Sequence, residues 1–353
     1  MILSKGKDKI NIIELTRDQL ITWLTERDIA AYRADQILKW IYLHQADNFN
    51  LMTNLSKDIR GLLAQQFVIG RLEAEKIETS RDGSRKYLFK LGDGKRIESV
   101  LIPEKDHYTL CVSCQVGCAQ GCLFCLTATG GFERNLTRAE IIAQVRDIKN
   151  ELDDPAQLSN IVFMGMGEPL ANYKNLVSAL ETITDIDTGL RFATRRITVS
   201  TAGLVPRFTA LGRDTKVNLA ISLNATDNDT RNRLMPINRN YPIEDLLEAC
   251  RQYPLPAGRR ITIEYILIKG VNDSEADARR LAKLLQPIRC KINLIPFNIH
   301  EGCDFERPPE SVIQAFYDIL FAKNYTVIIR RSKGQDISAA CGQLRARSAG
   351  QGV

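Results

Sequence analysis

The sequence predicts an α/β fold: an incomplete (βα)6 barrel of TIM-like type, preceded by a small helical accessory domain and a β-hairpin linker. Three observations predict it. From about residue 108, apolar β-rich runs alternate with helical patterns, which argues a parallel sheet with covering helices. The runs are nearly all apolar, as strands buried on both faces are. Polar residues recur at their carboxyl ends, where a βα-barrel keeps its active site. The first two observations fit a doubly wound open sheet equally well. The third favours the barrel.

Residues 14–67 read as helices. Leu15, Leu20, Ile21, Trp23 and Leu24 mark one apolar face, and Ala34, Ile37, Leu38, Ile41 and Tyr42 mark another at spacings of three and four. Thr16 in LTRDQL is placed to cap the first helix. Over residues 75–103 the pattern changes. RKYLFKL and KRIESVLI alternate like strands, with Gly92-Asp93-Gly94 as the turn between them. Six βα-like units follow, with strands in YTLCVS, NIVFMGMG, RITVSTAG, VNLAISLNA, RITIEYILI and KINLIPFN. The chain therefore divides at 1–74, 75–104 and 105–353.

Composition narrows the function classes. Hydrophobic residues at 44% and charged residues at 25% are ordinary for a globular protein. No stretch nears the ~18 apolar residues of a membrane span. The opening MILSKGKDKINIIEL has a basic start but no apolar h-region. These features predict a soluble, cytoplasmic protein, and we read it as a monomer. The net charge of +6 permits a polyanionic partner without requiring one. Basic clusters lie at Arg195-Arg196, Arg259-Arg260 and Arg330-Arg331-Ser332-Lys333.

Five of the nine cysteines fall in CVSCQVGCAQGCLFC, from Cys111 to Cys125. In a cytoplasmic protein such clustering points to metal ligands or catalytic thiols. Zinc is one reading, with Cys111-x2-Cys114 and Cys122-x2-Cys125 as two knuckles. Only seven residues separate those pairs, against about 12–20 in a zinc ribbon, and Cys118 is left over. Cys118, Cys122 and Cys125, spaced C-x3-C-x2-C, suit a 4Fe–4S cluster with three protein ligands. One iron then stays open to a substrate or cofactor.

That motif, with an aromatic before its last Cys, resembles the signature of the radical S-adenosylmethionine (SAM) enzymes. The resemblance implies that the open iron holds SAM. It also implies that an electron from the cluster cleaves SAM to a 5′-deoxyadenosyl radical. Met164-Gly165-Met166-Gly167-Glu168-Pro169 resembles the family's SAM-binding Gly-Gly-Glu-Pro element. Its glycines suit close backbone approach. Ser200, the run Ser222-Leu223-Asn224, and Asn298 stand at three further strand ends. Gly167, Glu168, Ser200, Ser222, Leu223, Asn224 and Asn298 are thus the candidate SAM contacts. Asn224 stands where some members of the family carry His.

LCVSCQVGC, GFERNL, MGMGEPL, RLMPINR, NLIPFN and GQDISAACGQL together resemble the RlmN/Cfr family of radical SAM RNA methyltransferases, over nearly the whole chain. The resemblance implies methylation of C2 of an adenosine in 23S rRNA and in tRNA, with two SAM per turnover and a flavodoxin- or ferredoxin-like electron donor. It gives Cys341 the role of methyl carrier and Cys111 the role of resolving thiol, the two ending as a disulfide. It puts a base at Glu98, and Cys111 itself is the other candidate for that task. Cys114 receives no role. The RNA contacts implied are the helical domain and the basic clusters. Two rival readings are a family member acting at C8 of adenosine and a non-catalytic zinc-containing RNA-binding protein.

Overall fold

The computed structural model describes residues 9–300 and 302–346. The basic opening, residues 1–8, lies outside them. The helical domain is built from α1 (Arg17–Thr25), α2 (Arg33–Tyr42) and α3 (Lys57–Gln66). Thr16 caps α1 in a capping box. Its hydroxyl accepts from Gln19 N at 3.3 Å, and the Gln19 side chain accepts from Thr16 N at 2.9 Å. Leu20, Trp23 and Leu24 bury one face of α1, and Ala34, Ile37, Leu38, Ile41 and Tyr42 bury one face of α2. A short parallel pair, β1 (Ile10–Asn11) with β2 (Phe67–Val68), closes the domain.

Strands β3 (Glu73–Thr79), β4 (Arg85–Lys90) and β5 (Arg96–Pro103) form an antiparallel meander. Asp93 and Gly94, the latter at φ +82°, make the β4–β5 turn. The meander holds one strand more than the two read from sequence, because EAEKIET lacks an apolar alternation. It is also no free-standing linker. β5 pairs with β6 (Tyr108–Cys111), and the meander becomes one flank of a ten-stranded sheet.

After β6 a small antiparallel pair, β7 (Gln115–Gly117) with β8 (Phe132–Asn135), brackets α4 (Leu126–Thr129). α5 (Arg138–Asn150) then leads to β9 (Leu158–Phe163), and α6 (Tyr173–Thr184) to β10 (Ile197–Thr201). α7 (Phe208–Asp214) precedes β11 (Asn218–Ser222). Two helices, α8 (Asn228–Leu234) and α9 (Ile243–Gln252), precede β12 (Ile261–Leu267). α10 (Glu275–Leu285) leads to β13 (Cys290–Pro296), and α11 (Glu310–Ala322) to β14 (Val327–Ile329). The parallel strands run in the order β14-β13-β12-β11-β10-β9-β6. The seventh, β14, escaped the sequence reading because it is three residues long.

The strands are not apolar on both faces. Leu110, Ile161, Val199, Leu219, Ile263 and Ile292 are fully buried in the core. Their neighbours Thr109, Asn160, Thr198, Asn218, Thr262 and Asn293 line an internal cavity. Closed TIM barrels fill this space with branched apolar side chains. Here the lumen is open and lined by polar as well as apolar side chains.

The helical domain docks on α5 through buried charge. Arg146, fully buried, donates to Asp147 at 2.7 Å and to the Gly70 carbonyl, and Asp147 accepts from Leu72 N at 2.8 Å. Between the sheet edges, residues after β14 bridge to the meander. Ser80 Oγ donates to Asp336 at 2.6 Å, Gly334 N donates to Asp82 at 2.7 Å, and Lys333 pairs with Glu104 at 3.6 Å. Among the described residues, no helix is long and apolar enough to cross a membrane.

Candidate active site

Cys118, Cys122 and Cys125 lie on the loop between β7 and α4, all half-buried. Three glycines shape it: Gly117, Gly121 and Gly131 have φ of +72°, +68° and +71°. A Cβ at Gly117 would meet the Gly131 carbonyl oxygen at 1.9 Å, an oxygen that already accepts from Cys118 N at 2.7 Å. Burial, then the nearby Cys125, pushes the Cys118 thiol up to about 12. Burial, then Cys125 and Cys118, raises Cys122. Cys118 and Cys122 thus feel neighbouring charge, and bound cations would offset that repulsion.

Among the described residues no three His, Cys, Asp or Glu side chains converge into a site for a single ion. A zinc site needs its sulfurs about 2.3 Å from one point. A cubane takes one thiolate per iron and holds its ligands further apart. The donor set, three cysteines on one glycine-shaped loop, fits a cluster of several irons. Cys114 stands apart in the core, 1% exposed, with its backbone N–H on the Met166 carbonyl at 2.9 Å.

The candidate SAM residues gather at the carboxyl ends of β9, β10, β11 and β13. Gly167, at φ +99°, lies so close to Gln115 that a Cβ would come within 2.4 Å of that side chain. Glu168 is buried, and its carboxylate accepts from Leu170 N at 3.0 Å and Ala202 N at 2.8 Å, joining the ends of β9 and β10. Burial pushes this carboxyl up, against those hydrogen bonds. Ser200 Oγ donates to Glu264 at 2.9 Å.

After Ser222 and Leu223 the chain turns at Asn224, fully buried at φ +58°. The Asn224 amide is engaged within the fold, accepting from Ile266 N at 2.8 Å and facing Met235 Sδ at 3.3 Å. Asn298 Nδ2 donates to the Cys341 carbonyl at 3.1 Å, and its oxygen accepts from Gln335 at 3.0 Å.

The segment around Cys341 roofs the barrel mouth. Leu126 N donates to the Gly342 carbonyl at 2.7 Å, and Thr127 Oγ1 to the Leu344 carbonyl at 2.7 Å. Beneath this roof is a cavity of about 670 Å³, lined by both Cys111 and Cys341. Cys111 is buried on β6, whereas Cys341 is exposed to the lumen. Burial, then Cys341, raises the Cys111 thiol. Burial, then Glu264, pushes Cys341 up to about 11, with Arg330 pulling the other way.

Glu98 is buried on β5 outside the cavity lining. Its carboxylate accepts from Arg345 N at 2.8 Å and Ala346 N at 3.1 Å and lies 3.4 Å from Lys86 Nζ. It therefore holds the segment that follows Cys341.

Two residues absent from the sequence reading complete the site. Glu264, on β12, is a buried carboxyl in the lumen with both thiols, and burial pushes it up. A lone Glu inside RITIEYILI was the available signal. Arg231, fully buried on α8, donates to the carbonyls of Leu223 at 3.0 Å, Ala202 at 2.8 Å and Ser222 at 3.2 Å. It braces the ends of β10 and β11, and no local pattern marks it. The basic clusters fall at opposite ends of the barrel. Arg330, Arg331 and Lys333 follow β14, whereas Arg195-Arg196 and Arg259-Arg260 precede β10 and β12, at the end away from the mouth.

Comparisons with known proteins match this architecture. Residues 10–69 match the family model of the ribosomal RNA large subunit methyltransferase N-terminal domain, and residues 112–282 match that of the radical SAM superfamily. The chain is 61% identical over 335 residues to the dual-specificity RNA methyltransferase RlmN of Desulfosudis oleivorans, covering 95% of this chain and 90% of that protein. It is 54% identical over 338 residues to the protein of that name from Geobacter sulfurreducens, covering 96% and 92%. A crystal structure of a radical SAM methyltransferase from Sphaerobacter thermophilus superposes with a TM-score of 0.90 at 44% identity, covering 96% of this chain and 100% of that one.

Proposed function

Because the chain belongs to the RlmN family of radical SAM RNA methyltransferases, we propose that it methylates C2 of an adenosine in 23S rRNA and in tRNA, using Cys341 as methyl carrier and Cys111 as resolving thiol. The observation that carries the reading is the shared cavity. Two thiols about 230 residues apart in sequence line one lumen, beside the loop of Cys118, Cys122 and Cys125.

Those three cysteines would hold a 4Fe–4S cluster, and Gly167, Glu168, Ser200, Ser222, Leu223, Asn224 and Asn298 would hold SAM. Together the bound groups supply a methyl group for a thiolate and a 5′-deoxyadenosyl radical that abstracts hydrogen, using two SAM per turnover.

C2 of adenine is electron-poor and does not attack a methyl sulfonium directly. The protein therefore carries the carbon itself. The Cys341 sulfur takes the methyl, the methyl carbon loses one hydrogen atom, and that carbon joins C2 as an adduct radical. A base then removes the C2 proton, with Glu98 and Cys111 as the candidates, and the adduct gives back the single electron spent on cleaving SAM. The Cys111 thiolate attacks the Cys341 sulfur, the departing carbon takes up a proton, and methyladenosine is released, leaving a disulfide. The target base must be unstacked, at a cost of a few kcal/mol offset by backbone and stacking contacts. Electrons come from a flavodoxin- or ferredoxin-like donor, and the enzyme works as a cytoplasmic monomer.

Proton NMR of the modified adenosine tests the position. Loss of the H2 signal supports the proposal, and loss of H8 assigns the C8 activity instead. Anaerobic purification tests the cluster. A brown chain carrying ~4 iron and ~4 sulfide supports it, and a colourless chain with one zinc overturns it.

A further inference from the structure

We propose that the barrel lumen is a rear passage through which a small anionic thiol reaches the Cys111–Cys341 disulfide and reduces it. The inference rests on the two-cysteine reading above. That reading leaves the enzyme oxidised after each turnover, so something must return it to the dithiol.

The route lies inside the fold. The cavity that holds both sulfurs runs down the inner wall past Val162, Thr198 and Asn218 to Arg195 and Arg196. These two arginines are exposed at the amino-terminal end of the barrel. At the other end the mouth is roofed by the Cys341 segment and its bonds to Asn298, Leu126 and Thr127. RNA and SAM also use that end. A reductant that enters from the rear competes with neither.

Charge selects the reductant. Arg195, Arg196, Lys291, Arg330 and Arg331 all line the cavity, and among the described residues none of them has a carboxylate within ion-pair distance. The wall carries only two acids against them: Glu104 is paired with Lys333 at 3.6 Å, and Glu264, bonded to Ser200, feels Arg330, so the cations remain in excess. Cations lining a low-dielectric passage concentrate anions and speed their arrival by about 10- to 1,000-fold. Polar side chains from successive strands, Thr109, Asn160, Thr198, Asn218, Thr262 and Asn293, stand along the inner wall among apolar ones, so a hydrated solute finds partners down its length. A volume of about 670 Å³ is that of a small-molecule pocket and excludes a protein dithiol.

The chemistry balances with a thiol as the only co-reactant. A thiolate attacks one sulfur of the disulfide, forming a mixed disulfide and releasing a protein thiolate that takes up a proton. A second thiolate attacks the mixed disulfide. Two small thiols are oxidised to one disulfide, and Cys111 and Cys341 return as thiols.

The test uses the full-length, cluster-loaded chain without RNA. It is oxidised under nitrogen with diamide and freed of excess reagent. Peptide mass spectrometry after timed alkylation follows the Cys111–Cys341 cross-link. Reduction by mercaptosuccinate, 2-mercaptoethanol and cysteamine is compared, each rate divided by that thiol's rate with a free model disulfide. The passage predicts that the dianion is favoured over the neutral thiol by about tenfold and the cation disfavoured. The preference collapses in about 0.5 M salt and in Arg195→Glu/Arg196→Glu, which changes only exposed side chains. Lys291→Gln, deeper in the lumen, reduces it independently.

Normalised rates that ignore thiol charge and both variants overturn the passage alone. A thioredoxin-type protein dithiol outpacing every small thiol overturns it too. Failure of the cross-link to form overturns the two-cysteine reading together with the passage.

Discussion

Asn298 Nδ2 donates to the Cys341 carbonyl at 3.1 Å, pinning the reactive segment to the end of β13. Removing it with Asn298→Ala should free the segment. A net hydrogen bond of about 1 kcal/mol corresponds to about a fivefold shift in an opening equilibrium. Alkylation of Cys341 in the cofactor-free chain is expected to speed up by about that factor at constant pH, measured by intact-protein mass spectrometry.

Cys341→Ala and Cys111→Ala are expected to fail at different steps. Without the carrier sulfur, RNA methylation falls to background while SAM cleavage persists. Without the resolving thiol, the carbon bridge between Cys341 and RNA is not released, and a protein–RNA adduct accumulates. Denaturing gels and a SAM-cleavage assay separate the two outcomes.

The Cys341 thiol is pushed up to about 11 by burial, then by Glu264. Only the thiolate reacts, so alkylation should rise about tenfold per pH unit from pH 8 toward 11. Glu264→Gln removes a like charge and is expected to speed alkylation at fixed pH, whereas Arg330→Gln slows it. The sign for stability is opposite to that for reactivity. The raised thiol contributes stability below its unfolded value near 8.5, and loses that contribution as pH climbs toward 11.

Gly167→Ala places a Cβ at 2.4 Å from the Gln115 Cβ in a backbone at φ +99°. A loss of about 1–3 kcal/mol is expected in chemical denaturation. Gly61→Ala, in α3 with nothing within 4 Å, should instead add about 0.5–1 kcal/mol.

Arg330 and Arg331 lie at the mouth end of the barrel. Reversing both charges should weaken RNA binding and lower the slope of log affinity against log salt, by about 0.7–0.9 for each phosphate that is no longer neutralised. Unchanged affinity and slope in a filter-binding titration would remove both residues from the RNA surface.

Much of this molecule is legible in its residues. Thr16 announces its capping box, the apolar spacing announces α1 and α2, and the βα rhythm announces six of the seven parallel strands. Runs such as NLAIS and ITIEY are apolar only at alternate positions: Asn218, Thr262 and Glu264 face the lumen, while Leu219, Ile221, Ile261, Ile263 and Tyr265 enter the core. β14 is too short for any period to register.

The sequence by itself determined the local chemistry: three cysteines on one loop, and glycines where a Cβ would collide. Such features depend on neighbours a few residues apart, and spacing records them. Only the tertiary structure decided which distant groups meet. Cys111 and Cys341 share a lumen because β6 and the roof segment that follows β14 lie at opposite ends of the row of parallel strands. Glu264 joins them because strand register turns it inward. Glu98 is turned to the backbone of Arg345 and Ala346. Those relations arise when the sheet curls and its edges are bridged, which no window along the chain encodes.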